Sequence, residues 1–219
     1  MFIGHFAPAI AAASHKDAPS LPILFIGAQL VDWAFFGFAM IGIEHLRIVP
    51  GFTAMNPMDL YHMPWTHSLV GALGWAIGFA LVLRMAGLGR RAQAIGAGVV
   101  ISHWVLDLLV HAPDLTFAGS PPKWGLGLWN HPVIEMPLEV LLVLGTLWWL
   151  QRKTGISPMR VGVLALILLA LQAINWFGEE PVAVTTGFLL MAWLGYALAT
   201  FAAWWAVRPL SAQDQLLTQ

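Results

Sequence analysis

Cysteine is absent from the chain, which excludes disulfides and thiolate chemistry and leaves any metal to be held by histidine and carboxylate. Charge is scarce as well: Asp, Glu, Lys and Arg make up 10% of the 219 residues, against about 25% in a soluble domain. The hydrophobic share is 59%, and the combination places the chain in a lipid bilayer. A net charge of -1 provides no footprint for nucleic acid. The opening stretch, MFIGHFAPAIAAASHK, lacks a basic region ahead of its apolar run and carries His5 and Pro8 within it, so it is read as mature protein rather than as a cleaved signal.

What the chain does have is apolar runs. The segment 2–13 is about 12 residues long, short of the roughly 20 that a spanning helix needs. Longer runs follow at 20–43, 64–83, 92–111, 133–150, 161–177 and 182–207. The expected fold class is all-α: a polytopic transmembrane helical bundle of six full spans plus a short N-terminal re-entrant or partly spanning helix. It is read as one domain over 1–209 with a short polar cytoplasmic tail at 210–219. Thr66 is the predicted N-cap of the second span. The connections 44–63 and 112–132 are long and broken by Pro and Gly, and loops of that length are more often functional than idle.

The basic residues orient the bundle. Lys16, Arg84, Arg90, Arg91, Arg152, Lys153, Arg160 and Arg208 fall in the turns of one side, whereas only Arg47 and Lys123 fall on the other. By the positive-inside rule the first side is cytoplasmic and both long loops lie outside.

Within this apolar background, VVISHWVLDLLVHAPD at 99–114 places His103, Asp107 and His111 four residues apart. On a helix such residues share one face. An ionisable group in hydrocarbon is either paired or functional. At about 1.5 Å of rise per residue, His67 and Asp107 lie one turn inside the outer surface and His103 one turn deeper, while Asp32 lies about 16 Å from the outer end of its helix. His5 joins them if the N-terminal segment starts outside. His5, Asp32, His67, His103 and Asp107 are therefore the candidate metal ligands. Carboxylates alone would repel one another in a low dielectric, and a divalent cation removes that conflict. The mixture of His and Asp suits zinc first, with manganese or iron as alternatives. His62 and His111 are read as nearby interfacial groups, as are His45 and His131. Glu139 is read as an orienter of a ligating imidazole or as an acid near the outer surface. Each ligand also has a structural reading, Asp32 as a packing anchor and His67 as an interfacial hydrogen-bonding group.

The pattern of GHF at 4–6, Asp32 in a hydrophobic run, THS at 66–68 and SHWVLD at 102–107 resembles a bacterial inner-membrane family described as membrane-bound metal-dependent hydrolases. PG at 50–51, HAPDL at 111–115 and GLGLW at 125–129 resemble one branch of it. The resemblance covers residues 1–140. It implies a metal site at His5, Asp32, His67, His103 and Asp107, and hydrolysis as the activity.

Three functions follow as expectations. The leading one is a metal-dependent hydrolase of the inner membrane, with its site facing the periplasm and metal-activated water acting on a lipid-like or envelope ester or phosphoester. The others are a non-catalytic membrane protein with a structural metal or polar cluster, and a transporter using the His/Asp stripe. Against transport, the inner half of the second and third spans offers no titratable group before the loop arginines, although a conducting path would continue through the membrane.

Overall fold

In the computed structural model, which describes residues 1–208, the apolar runs fold as helices that surround the N-terminal segment. A 3-10 turn at Ile3–His5 leads into α1 (Phe6–Ala12). Together they are 10 residues long, about 15 Å and far short of a bilayer. Ile3, Phe6 and Ile10 are fully buried, packed among Leu24, Phe25, Leu147, Leu164 and Leu168. The segment is thus the centre of the bundle and not an appendage. Then follow α2 (Leu21–Ala28), α3 (Leu30–Met40), β1 (His45–Ile48), β2 (Met58–His62), α4 (Leu69–Met85) and α5 (Arg90–Val110). The chain continues through β3 (Leu115–Thr116), β4 (Lys123–Trp124), α6 (Pro132–Thr154), α7 (Pro158–Phe177) and α8 (Thr186–Val207). Large apolar side chains such as Leu73, Ile77 and Leu81 on α4 and Leu190, Leu194 and Phe201 on α8 point outward, as lipid-facing positions do. The arrangement is an all-α fold with several long apolar helices, consistent with a polytopic membrane bundle. The predicted tail at 210–219 lies outside the described residues.

Six full spans are not found. Among the described residues, α5, α6, α7 and α8 are long and apolar enough to cross a membrane, and α2 with α3 make a fifth only as one span bent by 49°. The shortfall is α4, whose 17 residues extend about 25 Å. It begins at Leu69 because the residues before it are held in a turn. Ser68, and not Thr66, is its N-cap: the Ser68 hydroxyl accepts the Gly71 N–H at 3.0 Å and donates to the Pro64 carbonyl at 2.6 Å. Gly71 is required there, since a Cβ would come 2.4 Å from the Trp65 carbonyl oxygen.

The two long connections are not bare loops. β1 and β2 form an antiparallel ladder, as do β3 and β4. The second ladder is fastened to the start of α4 by a bridge between Ser68 and Thr116 and by a bond from Val70 N–H to the Phe117 carbonyl at 3.0 Å. Both lie at the end of the bundle where α4 begins and α5 finishes. At the opposite end Arg84 and Arg90 flank the α4–α5 turn, and Arg152 and Lys153 close α6.

A candidate metal centre

Four segments deliver polar side chains to one place. In α5 the four-residue spacing puts His103 and Asp107 on one face, and His111, the C-cap, continues that face. Asp32 sits in the first turn of α3, directly after the break at Gln29. His67 lies in the turn before α4, its N–H donating to the Met63 carbonyl at 3.2 Å. His5 ends the N-terminal 3-10 turn. Helix breaks inside a membrane persist only where neighbours satisfy the freed backbone groups. Here His103 Nδ1 reaches the Ala28 carbonyl at 2.7 Å and Gln29 Nε2 donates to the Phe2 carbonyl at 3.1 Å.

The five predicted ligands converge. Asp107 Oδ2 lies 3.1 Å from His103 Nε2 and 3.6 Å from His67 Nε2. Asp32 Oδ1 lies 3.3 Å from His67 Nε2 and 3.5 Å from His103 Nε2. His5 Nε2 is 3.0 Å from Asp107 Oδ1, and the His5 and His103 rings stack at 3.9 Å. These separations match the roughly 3.3 Å edge of a tetrahedron built on metal bonds of about 2.0–2.1 Å. His5, His67, His103 and Asp107 are each at most 2% exposed, and the Asp32 side chain is 17% exposed.

The hydrogen bonds around the cluster decide what its nitrogens can do. A backbone carbonyl only accepts, so His103 Nδ1 carries the proton that meets Ala28. The Thr66 hydroxyl donates to Glu44 Oε2 at 2.6 Å, so its oxygen accepts the Nδ1–H of His67 at 2.8 Å. The carboxylate of Asp114 accepts from His111 Nδ1 at 3.0 Å. In these three rings Nδ1 is tied outward and Nε2 is left for the two carboxylates, the arrangement that orients metal-bound imidazoles. His103 Nε2 and Asp107 Oδ2 are buried and face each other without a hydrogen bond. Two carboxylates facing these nitrogens call for positive charge, which a divalent ion would supply, as a protonated imidazole or the Met1 ammonium 3.7 Å from Asp107 Oδ1 also does. The donor set fits a divalent ion.

Other expectations are corrected. His111, read as an interfacial group, is 3% exposed, stacks on Trp129 at 4.3 Å and brings Nε2 within 3.2 Å of Asp107 Oδ1. His62 belongs to the β1–β2 ladder, opposite His45, with the two rings 5.6 Å apart; its strand pairing carries it away from the centre. Glu139 is buried but orients no imidazole. Its Oε1 accepts the N–H groups of Phe2 at 2.7 Å and Gly4 at 2.8 Å, and its Oε2 accepts Gln172 Nε2 at 3.0 Å. It therefore fixes His5 through the backbone.

Several contributors escaped the sequence reading. Glu44, fully buried, also accepts the N–H groups of Trp65 and Thr66 at 2.7 and 3.0 Å, and so holds the whole His67 turn. Tyr196 of α8 donates to Asp32 Oδ2 at 3.1 Å. Asp114, three residues after His111, had a usable signal in that spacing. Glu44 and Tyr196 had none, since their partners lie far away in the chain.

Fold and centre together define a class: a helical membrane protein with a buried His/Asp cluster able to hold a divalent metal. Comparison of the chain with family models, with curated proteins and with solved structures finds no match in any of the three.

Proposed function

We propose that this is a membrane-embedded metalloprotein whose divalent ion, held by His5, Asp32, His67, His103 and Asp107, fastens the N-terminal segment to α3, α4 and α5. The observation that carries this reading is the orientation of His67 and His103, with Nδ1 anchored outward and Nε2 aimed at Asp32 and Asp107. A structural role is favoured over catalysis by closure. His5, His67, His103 and Asp107 are each at most 2% exposed, and a groove of about 430 Å³ lies elsewhere, lined by residues such as Leu73, Ile77, Leu81 and Arg84 of α4. Zinc is the ion this donor set suits first, with manganese or iron next.

The hydrolase implied by the resemblance is the second reading, and one observation favours it. Asp32 is the only ligand with an appreciable exposed edge, and Tyr196 stands there as a donor. An ion with an open position at that edge would supply activated water, and its substrate would be a lipid-like or envelope ester or phosphoester. The two readings separate on one measurement. Protein purified without chelators and loaded with Mn(II) is examined by pulsed EPR in deuterated water: a closed structural site shows no exchangeable deuteron on the ion, and a hydrolytic one shows at least one. Folded wild-type protein that takes up no metal would sink both readings.

The proposed setting is a bacterial inner membrane, with the centre toward the outer side and the C-terminus in the cytoplasm. Its support is the distribution of basic residues. Single cysteines at Ser120 and Ser157 should react with an impermeant reagent from outside and inside respectively. The reverse pattern overturns the orientation.

A further inference from the structure

The two oxygens of Asp107 face different histidines. Oδ2 meets His103 Nε2 at 3.1 Å and His67 Nε2 at 3.6 Å, and these two nitrogens also flank Asp32 Oδ1. Oδ1 meets His5 Nε2 at 3.0 Å and His111 Nε2 at 3.2 Å, with the Met1 amino group at 3.7 Å. Two groups of candidate ligands stand out by distance alone, His5 with His103 and Asp107, and Asp32 with His67 and His103. Both include His103, yet an imidazole whose Nδ1–H is committed to the Ala28 carbonyl has a single lone pair left and serves one ion. A carboxylate has two oxygens and can serve two.

We infer that the centre holds two divalent ions bridged by Asp107, one on Oδ2 with Asp32, His67 and His103, the other on Oδ1 with His5 and His111. The inference rests on the proposed metal reading and deepens it by a second position and a sixth ligand. His111 is equipped for the role. It is buried, its ring is clamped against Trp129 at 4.3 Å, and its Nδ1–H is held by Asp114 at 3.0 Å. That is the same outward anchoring found at His67 and His103. The first position has four protein ligands and is closed. Two ions on one carboxylate sit about 3.5–4 Å apart, close enough for their spins to couple.

The test uses the full chain in detergent, purified without chelators and titrated with Mn(II). The expected result is two ions per chain and an exchange-coupled EPR spectrum. His111→Gln should take up one ion and show the six-line spectrum of isolated Mn(II). Asp114→Asn, which removes no proposed ligand but loosens the hold on His111 Nδ1, should weaken the second ion about 10–100-fold and leave the first unchanged; it keeps the test decisive should His111→Gln fail to fold. One uncoupled ion in wild type, unaffected by Asp114→Asn, overturns the second position while the metalloprotein reading stands. No ion at all in monodisperse wild type overturns that reading and this inference with it.

Discussion

The two ends of the bundle are held together by different physics. At the end where α4 begins and α5 finishes, backbone regularity is given up: α2 and α3 break at Gln29, His5 ends a 3-10 turn, and His67 sits in a turn ahead of α4. Every such irregularity places a charged or ligating group, and a hydrogen bond from another segment supports it. At the opposite end the helices are unbroken and the fit is steric. Phe79 and Leu83 of α4 pack with Val100 of α5, and Gly96 makes room for them, since a Cβ there would lie 2.5 Å from Leu83 Cδ1. The difference shows where each kind of stabilisation belongs. Small-to-large packing holds helices in lipid without polar groups, whereas a buried ionic centre demands partners for every group it contains.

Substitutions can sharpen this contrast. The largest effect is expected for Asp107→Asn, which removes the carboxylate facing the Nε2 atoms of His5, His67, His103 and His111. Metal content by mass spectrometry should fall to background, and the loss of a buried charge partner should cost about 3–5 kcal/mol of stability. Retention of stoichiometric metal would remove Asp107 from the centre. Next comes Thr66→Val, which keeps the volume but cuts the link from Glu44 to His67. Metal affinity in a competition titration should drop about 10–100-fold, and an unchanged affinity would show that His67 needs no support. Gly96→Ala probes the other end. It should lower stability by about 1–3 kcal/mol through overpacking while metal affinity stays at the wild-type value; a change in affinity would mean that the two ends are coupled. Ile77→Ala should do least. Ile77 is 61% exposed on the lipid-facing side of α4, and a shift in unfolding midpoint equivalent to no more than about 0.5 kcal/mol is expected.

How much of this was legible beforehand follows from the range of each interaction. The α5 stripe could be read because helical periodicity is local, and because charges are too rare in this chain for Asp107 to be background. Depth counting along the spans puts Asp32, His67 and, for an N-terminal segment that starts outside, His5 in the outer half of the membrane, and the structure brings them together. Counting along spans also misled. The sequence puts the second span at 64–83 with Thr66 as its N-cap, but Glu44 holds Trp65 and Thr66 in a turn, and the helix cannot begin until Ser68 caps it. His111 was assigned to the interface because its segment leaves the membrane there. The chain from 112 onward folds back over it instead: the Gly127 N–H donates to the His111 carbonyl at 2.8 Å and Trp129 stacks on its ring. Loop folding of that kind has no periodic signature. Glu139 has main-chain N–H groups as partners, and no side-chain pattern announces those.

The distribution of supports along the chain bears on the order of synthesis. The five candidate ligands and His111 lie within residues 5–111, so they are synthesised before α6, α7 and α8. Glu139, Gln172 and Tyr196, which fix the His5 backbone and meet Asp32, arrive with α6, α7 and α8. A nascent chain therefore displays every ligand before it can orient them, and the centre reaches its final geometry only when the last helix has inserted. For a centre of the proposed kind, metal acquisition would be a late step that closes assembly, and the ion a seal on a finished bundle rather than the seed around which it folds.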